Sequence, residues 1–121
     1  MSHVLVQDLA KTVVIPDRGI VSRAVHSDAH VKIVLFGFDA GQELSEHTAS
    51  MPAIIHVLKG DARLAVGPDL VQAHAGTWVH MAPGVAHSIQ AETPLLMLLT
   101  LVKGGRAAQA GEEVSRAGTK R

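Results

Sequence analysis

Several residue types that carry protein chemistry are missing from this sequence of 121 residues. There is no cysteine, which excludes disulfides, thiolate zinc sites, iron–sulfur clusters and cysteine nucleophiles together. There is no tyrosine, so no phenolic group can act as an acid or base. A chain without cysteine is compatible with a reducing cytoplasm, and that is the location we expect.

The sequence also lacks an excess of one charge and lacks long hydrophobic runs. Eleven basic and eleven acidic residues give a formal net charge of zero, whereas proteins that bind a phosphate backbone normally carry a basic surplus. The longest apolar run, Leu95–Val102, is far shorter than the ~20 residues that span a bilayer. The first residues show no signal-peptide pattern. We therefore expect a soluble protein with neither a nucleic-acid nor a membrane partner.

What is present indicates one folded domain. The chain is 47% hydrophobic and 18% charged, which is typical of globular proteins, and its length suits a single core. The composition changes at Gly104, after which Val114 is the only residue from the group Val, Ile, Leu, Met and Phe. Because such a segment buries too little to offset its ordering entropy, we predict a domain at 1–103 and a flexible tail at 104–121.

The apolar residues of this domain come in short runs separated by turn-forming residues. Runs of five to eight residues at roughly ten-residue spacing are typical of an all-β sandwich or barrel. The runs are Lys11–Ile15, Ile20–Val25, Val31–Phe38, Ala53–Leu58, Ala62–Val66, Leu70–His74, Thr77–Met81, Val85–Ile89 and Leu95–Val102. We predict strands from Val13 to Val102 in two packed antiparallel sheets, with the N-terminal segment as an edge strand.

Two stretches, 41–60 and 76–91, carry the most specific pattern. They resemble the two signature motifs of the cupin superfamily, in which glycines at fixed spacing frame metal-binding histidines. The positions that match are Gly41, His47, Gly60, Gly76, Gly84 and His87. The resemblance covers about residues 31–102 and implies an all-β, cupin-like jelly-roll barrel of two antiparallel sheets.

The ligand positions of the family are only partly kept. In metal-binding cupins the first motif supplies two histidines and a glutamate, and the second motif supplies one histidine. Here Ala49 stands at the second histidine position and Ala53 at the glutamate position, which leaves His47 and His87 as candidate metal ligands. The sequence around His47 also resembles that of a subgroup of small single-domain cupins that lack the second histidine. If a metal binds, imidazole ligands suit iron, manganese, nickel or zinc alike.

Other side chains could join this pair. Counted by strand alternation from His47, His56 falls on the outer face, unless a bulge near Met51 and Pro52 reverses the alternation. His80 lies on the strand that leads into the second motif, and its direction stays open. We include both histidines among the candidate pocket residues. Glu43 and Glu46 flank the first histidine and are weaker candidates, and we expect Glu46 to be solvated.

Two functions from different classes follow. In the first, the barrel binds a small organic ligand in its interior without a complete metal site, and Ala49 and Ala53 leave a mostly apolar cavity around His47 and His87. In the second, the chain is a metal-dependent oxygenase or isomerase that uses these two histidines as ligands. The missing tyrosine argues against sugar epimerases of this superfamily. Whether the protein is an enzyme stays open.

The small size of the domain also favours self-association. A core of about 100 ordered residues rich in Val, Leu, Ile and Ala gives modest stability by itself. Small cupins are commonly dimers, so the resemblance implies a homodimer. We expect the apolar N-terminal strands to form the shared sheet.

Overall fold

The computed structural model describes residues 2–104, and the predicted tail lies outside this range apart from its first residue, Gly104. These residues form one short 3-10 helix, Leu9–Thr12, and nine strands. The strands are β1 (Ile20–Ser27), β2 (Val31–Phe38), β3 (Glu43–His47), β4 (Ala53–Lys59), β5 (Ala62–Val66), β6 (Asp69–Ala73), β7 (Trp78–Met81), β8 (His87–Ala91) and β9 (Leu95–Val102). Within residues 2–104, no helix has the length and apolar character needed to cross a membrane.

The strands form two antiparallel sheets, which confirms the predicted fold class. A five-stranded sheet has the order β1-β2-β9-β4-β7, and a four-stranded sheet has the order β3-β8-β5-β6. Apart from the hairpins β1–β2 and β5–β6, strands that follow one another in sequence lie in different sheets, and β9 lies between β2 and β4. Successive segments of the chain therefore alternate between the sheets, and the two cupin-like motifs meet at the β3–β8 pair.

The core lies between the sheets and follows strand alternation. In β4, Ala53, Ile55 and Val57 are buried, while Ile54 and His56 point to the other face. The same rule applies to β5 and β8. The largest core side chains that are completely buried are Phe38, Ile55, Leu64, Leu95 and Val57. Sequence alternation thus predicts which side chains fill the barrel.

The N-terminal edge strand predicted from Lys11–Ile15 is wrong. The chain instead forms the 3-10 turn Leu9–Thr12, which begins where the Asp8 carboxylate accepts a hydrogen bond from the Ala10 amide at 3.1 Å. This side-chain acceptor favours a turn over an extended strand. The residues that follow lie on the outer face of the five-stranded sheet, where Ile15 packs so close to Gly37 that a Cβ there would come within 2.9 Å of it.

Strand β3 was missed, and the reason is its composition. Its sequence, Glu-Leu-Ser-Glu-His, has one aliphatic residue, and only Leu44 is partly buried. A hydrophobic-run criterion cannot find such a strand. The cupin-like motif does cover it, because Gly41 and His47 frame it.

Candidate functional site

The site is built on the β3–β8 pair, where His47 and His87 lie directly opposite each other. Leu44 pairs with Ile89, so regular pairing would place Glu46 opposite His87. The register instead shifts between Leu44 and His47, which means that β3 carries an extra residue. Such a bulge reverses the alternation and brings His47 to the inner side, beside His87. The bulge therefore creates the histidine pair.

The two imidazole rings are close and differ in exposure. Their centroids are 4.2 Å apart and their planes are inclined by 59°. His87 is 6% exposed, whereas His47 lies at the solvent-accessible end of the site. The pair thus extends from the interior of the barrel, at His87, to its surface, at His47.

Hydrogen bonds to the backbone fix the tautomer of both rings. Nδ1 of His47 lies 2.8 Å from the carbonyl oxygen of Ser45, and Nδ1 of His87 lies 2.9 Å from that of Val85. Because a carbonyl oxygen can only accept, Nδ1 carries the proton in each ring. In the neutral form, each Nε2 then presents a free lone pair. The two imidazoles bond to backbone and not to each other, so both Nε2 atoms are available to a ligand.

A small, mostly apolar cavity adjoins the pair. Its volume is about 30 Å³, which is enough for a water-sized group. The larger side chains of its walls are Phe36, Leu44, Ile55, Leu64, Met97 and Leu99. Apart from the two imidazoles, Ser88 is the only residue of its lining with a polar side chain, and no carboxylate is among the lining residues.

The same geometry bears on the metal that the cupin-like motifs imply. Bonds from Nδ1–H to a backbone carbonyl orient metal-binding histidines in many sites. Two imidazoles at neighbouring positions of an octahedral ion have ring centres about 4.5 Å apart, and on a tetrahedral ion about 5.3 Å apart, whereas the observed separation is 4.2 Å. No group of three or more His, Asp or Glu side chains within residues 2–104 could hold a metal ion. The pair supplies two ligands, and the residues do not complete a divalent site.

The two further histidines among the candidate pocket residues lie away from the cavity. The register from Ala53 to His56 is continuous against β7, so His56 and His80 lie on the outer face of the five-stranded sheet. His56 follows its plain strand alternation, because no bulge interrupts β4 before it. Neither side chain lines the cavity beside His47 and His87.

The two glutamates also stay outside the barrel. Glu43 pairs with Gln90 on the outer face of the four-stranded sheet, and Glu46 is exposed at the bulge. Both line a shallow outer groove that also includes Arg63. The wall residues of the inner cavity were not singled out from the sequence, although alternation in β2, β4 and β9 points their side chains inward.

Comparisons with known proteins agree with this architecture. No protein-family model matches the chain, and no curated protein matches it either. Among solved structures, an RmlC-like cupin protein from Desulfovibrio desulfuricans is 29% identical, with a TM-score of 0.74 over 83% of this chain and 97% of its own. A conserved protein of unknown function from Streptococcus pyogenes is 27% identical, with a TM-score of 0.76 over 88% and 93%. A cupin superfamily protein from Desulfitobacterium hafniense is 18% identical, with a TM-score of 0.76 over 85% and 97%.

Proposed function

Because this chain is a small cupin jelly-roll domain, we propose that it binds a small organic ligand through the His47–His87 pair. The observation that carries the proposal is the fixed tautomer of both rings, which leaves two Nε2 acceptors beside an apolar cavity. Sites for small molecules commonly combine apolar walls with a few polar groups that orient the ligand. Two neutral Nε2 atoms select a ligand with a hydrogen-bond donor, such as a hydroxyl or amino group.

The size of the cavity limits how such a ligand sits. About 30 Å³ admits only a terminal group beside the buried His87. The rest of the molecule extends past His47, which is exposed. Phe36 and Leu99, both partly buried, supply apolar contact for the part next to the donor group.

A second candidate is a metal-dependent cupin enzyme with iron, manganese, nickel or zinc on the same two histidines. The Nδ1–carbonyl bonds favour it. Against it, catalytic sites of zinc normally have three protein ligands, and Ala49 and Ala53 supply none at the family's other ligand positions. The organic-ligand proposal needs only the groups that are present.

Nitrogen-15 NMR of histidine side chains separates the two candidates. The protein is titrated with small alcohols and amines of increasing length, and separately with Zn²⁺ and Ni²⁺. Under the proposal, organic compounds shift the Nε2 resonances of His47 and His87 and leave His80, which is exposed on the outer face, unchanged. Stoichiometric metal binding at the pair without any organic response would favour the metal candidate. If neither the organic compounds nor the metal ions shift the resonances of the pair, both candidate functions are refuted.

A further inference from the structure

A second apolar cavity lies outside the barrel, between the N-terminal segment (residues 2–19) and the outer face of the five-stranded sheet. Its volume is about 260 Å³, so it is much larger than the cavity beside the histidine pair. Val4, Val6 and Leu9 form the wall on the side of the segment. Val25, Ile33 and Leu98, from β1, β2 and β9, form the wall on the side of the sheet. We call this cavity the N-terminal cleft.

The one polar side chain in the lining of the N-terminal cleft is the imidazole of His26. Neighbouring residues of a regular strand point to opposite faces, yet Val25 and His26 both line the cleft. The pairing of β1 with β2 shifts register between Ala24 and His26, so β1 carries an extra residue there. A bulge in β1 therefore places an imidazole among aliphatic side chains.

A hydrogen bond to Asp28 fixes the tautomer of His26. Nε2 of the ring lies 2.8 Å from Oδ2 of Asp28, and Oδ1 accepts hydrogen bonds from the amides of His30 and Val31. The bond from His26 and these amides hold the pKa of Asp28 well below its usual value, so the carboxylate is ionised and can only accept. Nε2 therefore carries the proton. Nδ1 of the neutral ring keeps a free lone pair on a ring that lines the cleft.

The lining is complementary to an uncharged amphiphile. The aliphatic walls suit an alkyl chain, and Nδ1 of His26 accepts one hydrogen bond from the head of the molecule. A carboxylate head has no donor for Nδ1 and brings a second negative charge towards Asp28. An ammonium head would lose its hydration with no carboxylate among the lining residues to offset the loss. A hydroxyl head meets neither obstacle.

The volume of the cleft sets the length of the chain. A water molecule takes about 30 Å³ in the liquid, so the 260 Å³ of the cleft hold about eight or nine groups of that size. A primary alcohol of about eight carbons has this number of non-hydrogen atoms. Its chain would also cover Val4, which is 60% exposed at the mouth of the cleft.

We propose that the N-terminal cleft binds a medium-chain primary alcohol, whose hydroxyl donates a hydrogen bond to Nδ1 of His26. The alkyl chain lies between the N-terminal segment and the sheet. This site is separate from the His47–His87 pair, since no residue lines both cavities. The proposal does not depend on what the pair binds.

Titration with a series of straight-chain ligands, followed by nitrogen-15 NMR of the histidine side chains at about pH 8, tests the proposal. Primary alcohols should shift Nδ1 of His26, with affinity rising about three- to fourfold per methylene up to 1-octanol and levelling off beyond it. Octanoate should bind at least tenfold more weakly than 1-octanol. If 1-octanol shifts only His47 and His87, the cleft proposal is wrong and the proposed function of the pair stands.

The N-terminal cleft could instead be occupied by a second copy of this chain, which the same titration detects. In that case the apparent dissociation constant of 1-octanol would rise with protein concentration, and sedimentation velocity would show a species of twice the monomer mass. Either result would overturn the proposal. A dissociation constant independent of protein concentration supports it.

An isomer of 1-octanol that lacks a donor isolates the hydrogen bond to His26. 1-Methoxyheptane has the same atoms but no hydroxyl, so the wild-type protein should prefer 1-octanol about fivefold. His26→Leu should abolish this preference while the circular dichroism spectrum is retained. The matched control is His80→Leu, because His80 is exposed on β7 of the same sheet and does not line the cleft. A wild-type protein without the preference, or a His26→Leu variant that keeps it, would refute the assigned role of His26.

Discussion

At the scale of single residues, glycines with similar backbone angles have different roles. Gly41 has φ of +85° and Gly60 has φ of +96°, a region that side chains rarely adopt. A Cβ at Gly41 would meet nothing within 4 Å, whereas one at Gly60 would collide with the carbonyl oxygen of Pro94. Gly41 is required only for its positive φ, whereas Gly60 is also required because there is no space for a side chain beside Pro94.

This difference predicts unequal effects of substitution by alanine. Gly41→Ala should lower the free energy of unfolding by about 1–2 kcal/mol, the cost of a left-handed residue. Gly60→Ala should lower it by more than about 3 kcal/mol, because backbone must also move. Urea denaturation of both variants measures the two values. Equal values would mean that the close approach of Gly60 to Pro94 is not a tight contact.

Substitution of the two histidines of the candidate site should lower the free energy of unfolding by different amounts. His87→Ala should cost about 1–3 kcal/mol, because it opens space beside the cavity and removes the hydrogen bond to Val85. His47→Ala should cost less than about 1 kcal/mol, since the ring is exposed. The measurement is the melting temperature of each variant and of wild type, with and without chelator. A chelator that lowers only the wild-type value would transfer support to the metal candidate.

At the scale of elements, the sequence predicted most strands but not their irregularities. Alternation and turn residues located β2, β4, β5 and β9 within one residue of their bounds. The bulge in β3 was not found, because Ser45 and Glu46 are polar and exposed and leave no hydrophobic pattern to shift. His47 and His87 were instead identified as candidate site residues from the family resemblance. Their backbone-fixed tautomers depend on local carbonyl positions, which residue identity does not encode.

The β1–β2 hairpin contains the most strongly perturbed carboxylate among the described residues. The hydrogen bond from His26 holds the pKa of Asp28 well below its usual value of 3.8, and the backbone amides of His30 and Val31 act in the same direction. Lys103 adds a contact to the carbonyl oxygen of Asp28, tying the end of β9 to the hairpin. One carboxylate therefore organises the whole turn.

This hairpin predicts a pH dependence with a defined sign. A carboxyl group with a lowered folded-state pKa adds stability above its unfolded value of 3.8, and that stability is lost as the pH falls through the folded value. Asp28→Asn should therefore melt at a lower temperature than wild type at pH 7, and the gap should narrow below pH 3.8. Asp69→Asn, at the first residue of β6, is the control for a general effect of removing a charge. A gap independent of pH would exclude the carboxylate as the cause.

At the scale of the whole molecule, the described residues form three layers. The layers are, in order, the four-stranded sheet, the five-stranded sheet and the N-terminal segment. Strand β2, in the middle layer, faces the four-stranded sheet on one side and the N-terminal segment on the other. Phe38 and Leu35 lie on opposite faces of this one strand, and both are 0% exposed. The molecule therefore has a second buried layer outside the barrel, small but built on the same strand as the core.

Alanine substitutions on β2 test whether the two layers unfold together. Phe38→Ala should cost about 3–5 kcal/mol and Leu35→Ala about 2–5 kcal/mol, values typical of fully buried side chains. Hydrogen–deuterium exchange should show faster exchange throughout the barrel for Phe38→Ala. For Leu35→Ala the largest increase should fall in residues 6–17, because Ile15 lies against Gly37 and Leu9 lines the N-terminal cleft with Ile33, and Gly37 and Ile33 are the outer-face neighbours of Leu35 on β2. If Leu35→Ala costs less than about 1 kcal/mol and leaves this segment unchanged, the N-terminal segment does not stabilise the sheet, and the outer face is free over all five strands.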